Sequence, residues 1–380
     1  MLLLLIVVGV ALAFDFTNGF HDTANAVAPT IATGALKPRT AVAMCSVLNL
    51  VGAFLSIKVA ATIASALVAQ NLVTLPVIFA GLIGAICWNV TTWYFAIPSS
   101  SSHALIGGVI GAMLVMSGGH SVLWHGLVSK VIIPAGLAPF VALVAAAVAV
   151  IAARRLTSKV DAHTSTWGFR IGQIGSSSLL SLAHGTNDAQ KTMGVVTLAL
   201  IANGSLSANS STPVWVIVAC AVAIGLGTLF GGWRIIRTMG NGFHHLTPQQ
   251  GFAAQIASSA VILTSSHLGL PLSTTHVATG SIVGVGAATP NHPVHWRLVG
   301  HVALAWVITL PAAGLAGAIA YFFAHAIGGT FGVIVLAFVA AAYLALIFRL
   351  SRRNVVNSIN VNDALDGAID PVEHPSPVAV

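Results

Sequence analysis

The sequence predicts an all-α polytopic membrane protein built from two inverted-topology repeats, with broken transmembrane helices and paired re-entrant hairpins. Three observations carry that reading. Hydrophobic residues make up 57% of the 380-residue chain and charged residues 6%, against roughly 25% charged in a soluble domain. Two short polar motifs each occur twice, in the same order and at nearly the same spacing. The connections that carry Lys and Arg in the first copy are neutral in the second, and the reverse. The apolar runs are continuous rather than alternating, which excludes a transmembrane β-barrel.

The first repeat is expected over 1–160. Residues 2–14 are apolar but too short to cross about 30 Å alone, and apolar sequence resumes from Ala24 to Leu36. Asp15, Asn18, Gly19 and Asp22 lie between, so the reading is one span broken in its middle. Ala11 and Ala13 imitate a signal-peptide cleavage site, but no basic residue precedes them, and the segment is expected to be retained. A second span covers about 41–63. A re-entrant hairpin follows near 77–117, turning at Pro98 and the run Ser99 to Ser102. The span at 131–153 meets Arg154 and Arg155.

The second repeat, 161–325, follows the same plan. A motif span over 170–200 is broken around Asp188, and a span at 214–232 meets Arg234 and Arg237. A hairpin near 252–286 turns at Pro271, and a span near 299–323 ends the repeat. A final transmembrane helix is expected at 326–349, before a polar tail, 350–380, that reads as disordered from about 354.

The internal matches are specific. Gly19, Asp22 and Asn25 recur as Gly185, Asp188 and Lys191, each 166 residues on. Pro98 and His103 recur as Pro271 and His276, with Gly107 and Gly111 recurring as Gly280 and Gly284, each 173 residues on. Lys37 and Arg39 follow the first motif span while 201–213 is neutral; 64–76 is neutral while Arg234 and Arg237 follow its counterpart. By the positive-inside rule the halves insert upside down relative to each other. With both hairpins re-entrant, every basic cluster falls in the cytoplasm, the N-terminus outside and the tail cytoplasmic, in a multi-pass protein of the cell membrane.

Of eight acids, four lie in the last eighteen residues and Asp161 in a basic loop; Asp15, Asp22 and Asp188 all fall in or beside the repeated motif. A carboxylate inside a span costs roughly 2.5–3.5 kcal/mol on insertion scales and marks a functional site by default. Asp22, Asp188 and Asn187 are oxygen ligands suited to a small hard cation or a carried proton. His21 and His184, among fifteen histidines, stand in the motifs and titrate near neutrality. Lys191, at the place of Asn25, can pair with Asp22 or Asp188 or offset substrate charge. At the hairpin tips, Ser101, Ser102, Thr274 and Thr275 open half-helices whose free N–H groups favour an oxyanion. The alternatives are hydroxyls that only cap helices and a structural polar network between the halves. Cys45, Cys87 and Cys220 have no metal or redox spacing and read as packing residues. The pI of 9.8 reflects loop bias rather than nucleic-acid binding.

At these residues the chain resembles the inorganic phosphate transporter (PiT) family. Asn18 to Ala26 and His184 to Lys191 resemble its duplicated G-A-N-D-V-A-N-A element, and Pro271 to His276 its P-V-S-T-T-H element, with Pro98 to His103 as partner. The resemblance implies a homodimeric symporter of inorganic phosphate in the lipid bilayer, with no cofactor beyond a coupling proton or sodium ion. It implies phosphate contacts at Ser101, Ser102, Thr274, Thr275, Asn25 and Lys191. Coupling falls to Asp22, Asp188, Asn187, His21 and His184, with Asp22 and Asp188 as ligands if a cation binds. Sodium-coupled relatives carry a Glu in each repeat where Asn49 and Gln255 stand here, and His21 and Lys191 replace amides of the pattern. Both departures resemble the bacterial low-affinity branch, which is proton-driven and often carries a neutral divalent metal–phosphate complex. The remaining transport readings are sodium symport of phosphate and carriage of sulfate or arsenate. A passive anion channel would not need the carboxylates. An intramembrane hydrolase would not need the motif twice, and Ser102 and His103 do not face each other on a helix; no enzyme is expected.

Overall fold

The computed structural model describes residues 1–208, 210–290 and 293–363. Fourteen α-helices follow in order: α1 Leu2–Ala32, α2 Pro38–Gly52, α3 Lys58–Ser65, α4 Leu75–Tyr94, α5 Ser101–Ser117, α6 Trp124–Leu127 and α7 Ile133–Thr157. Then come α8 Ala162–Ala202, α9 Val214–Phe230, α10 Trp233–Asn241, α11 Pro248–His267, α12 Thr274–Ala287, α13 Trp296–Ile327 and α14 Gly329–Ser351. No strand occurs among the described residues; one isolated bridge pairs Val68 with Val122. Five spans are long and apolar enough to cross a membrane, or six counting the bent pair α9 and α10.

The motif spans are not broken, which corrects the sequence expectation. α1 runs helical through Asp15, Asn18, Gly19 and Asp22, and α8 through Asn187, Asp188 and Lys191. Unwinding inside a bilayer would free N–H and C=O groups with no water to take them. Gly19 serves close approach instead: a Cβ there would strike the backbone carbonyl of Ile224 on α9. Gly185 likewise lies on the backbone of Asn49 on α2.

The breaks fall one element later. α9 and α10 meet at 68° across Gly231 and Gly232, where Gly231 takes φ +66, a value glycine reaches at no steric cost. Between α2 and α3 the chain turns through 53–57, and Gln190 of α8 repairs the ends: its Oε1 accepts from the N–H of Val59 at 2.8 Å and of Ala60 at 3.3 Å. Lys58 is exposed rather than buried, and its Nζ donates to the carbonyl of His267 at 3.1 Å, a cation closing a helix C-terminus.

α1 and α8 lie antiparallel. Thr192 donates to Asp15 at 2.9 Å, Ser177 to the carbonyl of Ala26 at 3.1 Å and Thr33 to Gln173 at 2.7 Å, so the partner number falls as the α1 number rises. With α2 and α9 they form a central group. One apolar core holds the N-terminal half of α1, the C-terminal half of α8 and the hairpin α4–α5. The other holds the opposite halves of α1 and α8 with the hairpin α11–α12. The polar motifs are the layer between them.

Each hairpin packs on the last span of the other half, α5 on α13 and α12 on α7. Glycines set both contacts. Gly107 and Gly111 lie against the backbones of Leu310 and Gly314, and Gly280 and Gly284 against those of Pro139 and Leu143. Matched glycines thus meet matched positions.

The start of α8 is fixed by Asp161, which accepts from the Thr164 N–H at 2.9 Å. Its carboxyl is held below the usual carboxylate range by the Thr164 hydroxyl and N–H. At the other end of the chain, residues 354–363 are docked, not disordered, another correction. Arg234 donates to the carbonyls of Ser351 at 2.9 Å and Asn354 at 2.6 Å. Arg237 reaches the Asn360 carbonyl, Asn362 donates to the Ile31 carbonyl at 3.3 Å, and Val361 is buried. The rest of the tail lies outside the described residues. Arg234→Leu removes two of these anchors, and limited proteolysis is expected to cleave 354–363 faster than in the unaltered chain; an unchanged rate would mean that Val361 and Arg237 suffice.

Candidate substrate and coupling site

Both hairpin tips end in an N-capped helix. Ser100 Oγ accepts from the His103 N–H at 3.2 Å, and Ser273 Oγ from the His276 N–H at 3.3 Å. Capping therefore belongs to the residue before each predicted pair. The first-turn N–H groups of Ser101, Ser102, Thr274 and Thr275 remain the open donors of their helices. All four side chains are buried. The tips meet directly: Ser102 Oγ donates to the Leu272 carbonyl at 3.3 Å, and the His103 and His276 rings stand edge to face at 4.9 Å. Trp306 stacks on His276 at 4.2 Å.

The motif helices bring carboxylates to these tips. Ser101 Oγ donates to Asp22 Oδ1 at 3.0 Å, and Thr274 Oγ1 to Asp188 Oδ2 at 3.1 Å. The two copies thus repeat one contact. Asn25 crosses from α1 to α12, its Nδ2 donating to Thr274 at 3.2 Å and Thr275 at 3.0 Å. Lys191 donates to Asp188 Oδ1, which decides between the two partners open to it in the sequence.

Each carboxylate also has an imidazole. His21 Nδ1 lies 2.5 Å from Asp22 Oδ1, and its Nε2 faces Thr92 at 3.2 Å and Ser99 at 3.4 Å. His184 Nδ1 faces Asn49 Oδ1 at 3.1 Å, while its Nε2 stands 3.2 Å from Asp188 Oδ2 outside hydrogen-bonding alignment. Among the described residues, Asp22, His184 and Asp188 each offer a ligand atom, all within 4.8 Å of one another.

The charges dictate what this place can do. Asp22 and Asp188 bring two carboxyl groups, and Lys191 an ammonium, into one buried layer, where an oxyanion would add negative charge. Burial of unbalanced charge costs several kcal/mol per ion. The hydroxyls of Ser101 and Thr274 now donate to carboxylates. When those carboxyls carry protons the hydroxyls are released to turn towards an anion.

Ten of the eleven predicted site residues reach this cluster. Asn187 does not: its Nδ2 donates to Ser266 at 2.9 Å and to the Leu270 carbonyl at 3.4 Å, tying α8 to the second hairpin. Asn49 and Gln255 sit on α2 and α11. Both have partners on each amide atom: Asn49 Nδ2 donates to Thr228 at 2.8 Å and its Oδ1 faces His184, while Gln255 Nε2 donates to Thr30 at 2.7 Å and the Ala26 carbonyl at 2.9 Å and its Oε1 accepts from Ser176. Thr92 and Ser99, which orient His21, were not singled out; neither carries a sequence signal beyond lying near Pro98.

Comparisons with known proteins give the family. The model of the phosphate transporter family matches residues 18–317, from the first motif through α13. The chain belongs to that family. Within the phosphate transporter family it is 54% identical to the "Probable low-affinity inorganic phosphate transporter" of Mycobacterium leprae (strain TN), over 97% of this chain and 89% of the relative. A protein of that name in Bacillus subtilis (strain 168) is 44% identical over 85% of this chain and 97% of its own. The solved structure titled "The sodium-dependent phosphate transporter" shares the fold with TM-score 0.73 and 23% identity, covering 85% of this chain and 98% of that one. The chain is therefore a transporter-family protein, not an enzyme.

Proposed function

We propose that this protein imports inorganic phosphate by proton symport, alternating access around a site at the middle of the membrane. The observation that carries the reading is the meeting of two helix N-termini, α5 and α12, with Asp22, Asn25, Asp188 and Lys191. The open N–H groups and hydroxyls of the tips hold the phosphate oxygens, while Lys191 and Asn25 add a charge and an amide. A deprotonated Asp accepts from a P–OH that sulfate lacks; a protonated one donates to a phosphate oxygen.

Three features favour protons over sodium. An ammonium already occupies the cation position on Asp188. An imidazole stands on each carboxylate. Neutral, fully bonded amides stand at Asn49 and Gln255. In this reading the halves 1–160 and 161–325 are inverted repeats and the protein works as a homodimer in the cell membrane, N-terminus outside and tail inside. A second reading concerns the cargo: the cluster of Asp22, His184 and Asp188 favours a divalent cation travelling with the phosphate.

Radiolabelled phosphate uptake into sodium-free liposomes tests the proposal. An inward proton gradient is expected to drive accumulation, and sodium to add nothing. Uptake that appears only with sodium would overturn proton coupling. Uptake of radiolabelled manganese in step with phosphate, lost when phosphate is omitted, would establish the metal–phosphate cargo.

A further inference from the structure

Asp15 is the third carboxylate of the motif region, and nothing in the site described above uses it. It is fully buried on α1, as is Asn18. Asp15 Oδ1 accepts from Thr192 Oγ1 at 2.9 Å; the Asn18 amide and the Cys220 thiol stand near the carboxyl, but its Oδ2 and both amide atoms of Asn18 make no hydrogen bond of proper geometry. Buried polar atoms are rarely left so. Three at one place point to a ligand that comes and goes. The other titratable groups facing Asp15 are Lys191 and Asp188 on α8 and the Cys220 thiol on α9. No cation lies in contact with it among the described residues.

Spacing gives the direction. Asp15, Asn18 and Asp22 stand at i, i+3 and i+7 on one face of α1. Seven residues at 1.5 Å each separate the two carboxyls by about 10 Å. Asp15 therefore lies two turns from Asp22 along α1, on the Leu2 side, against the stretch of α8 that follows Lys191. Its surroundings suit a proton rather than a metal ion. Asp15 Oδ2, Asn18 Oδ1 and Thr192 Oγ1 are three oxygens, fewer than hard cations gather, whereas a proton needs one acceptor.

We propose that Asp15 is the outer way-station of the coupling proton, with Asn18 as the polar step between it and Asp22. The carboxylate takes a proton from a hydronium ion arriving from the Leu2 end: one O–H bond of the hydronium breaks, leaving water, and one forms on Asp15. That bond breaks as Oδ2 passes the proton to the first of a short file of waters held by Asn18, and the last of them gives one of its own to Asp22. The net change is one proton moved about 10 Å inward, with nothing oxidised or reduced. This rests on the proton-symport reading.

The test separates transport from drive. Asp15→Asn mimics the protonated acid and cannot release its proton. In proteoliposomes it is expected to exchange external labelled phosphate for internal phosphate at the wild-type rate at equal pH. Uptake driven by a proton gradient, with the influx followed by a trapped pH dye, is expected to fall at least about tenfold. Asp15→Glu restores the drive. Gradient-driven uptake by Asp15→Asn at the wild-type rate overturns the proposal and leaves proton symport standing. Exchange lost together with drive in both variants also overturns it, since that is a structural role. A wild-type protein indifferent to the gradient removes the symport reading itself, and this inference with it.

Discussion

Asp188→Asn is expected to abolish phosphate uptake and to destabilise the protein at once. The substitution leaves the Lys191 ammonium buried with no counter-ion on α8. Removing one partner of a buried pair costs about 3–5 kcal/mol, a factor of about a hundred to several thousand in an equilibrium. It also leaves one acceptor oxygen where Lys191 and Thr274 now use two, and takes the carboxylate away from His184. Adding Lys191→Met separates the two effects. The double variant is expected to regain thermal stability in detergent, because no unpaired charge remains, yet to stay inactive. A single variant as stable as the wild type would mean that Lys191 finds another partner, and that the pair is not what holds α8 in place.

The second large effect belongs to a contact without side chains. A Cβ at Gly111 would overlap the carbonyl of Gly314 and stand 2.7 Å from its Cα. Only backbone surrounds the position, so nothing flexible can yield. Gly111→Ala is expected to cost about 3 kcal/mol, the upper end of overpacking, read as a loss of monodisperse protein on size-exclusion chromatography. Gly9→Ala and Gly175→Ala, where a Cβ meets nothing within 4 Å, are the controls. Equal behaviour of all three would remove the close crossing of α5 and α13 from the account.

Much of this architecture is legible in the sequence, for a physical reason. A carboxylate or a Ser/Thr run inside an apolar stretch is costly, so its duplication at a fixed offset marks paired sites. The aligned glycines, Gly107 and Gly111 with Gly280 and Gly284, foretold equivalent contacts, although not with which helix. What could not be read was where helices break. Gly19 and Asp22 look like an interruption by propensity, but neighbouring helices satisfy Asp22 and press on Gly19. The true break at Gly231 and Gly232 carried a signal, a glycine pair. That at 53–57 carried none, because its freed N–H groups are met by Gln190, far away in sequence. The docked segment 354–363 was invisible for the same reason: Arg234 and Arg237 grip its carbonyls, which every residue has.

The site was legible as a set of residues rather than as a circuit. Asp22, Asp188 and the tip hydroxyls were named correctly as neighbours. Which amide crosses between halves, and that Lys191 chooses Asp188, follow only from the antiparallel lie of α1 and α8. Asn187 shares its motif with Asp188 but is turned a hundred degrees around the helix per residue, roughly, and serves the hairpin instead.

The glycine crossings have a mechanical corollary. Backbone pressed on backbone has no rotamers to exchange, so the first hairpin with α13 and the second with α7 are each stiff in a way that side-chain packing is not. Tip to tip, by contrast, the described residues offer one hydrogen bond, Ser102 to Leu272, and two facing imidazoles. The seam between the tips is therefore the place where the fewest contacts must change for the gap to widen. Widening there would part the two imidazoles and the Ser102–Leu272 hydrogen bond while both glycine crossings stay as they are.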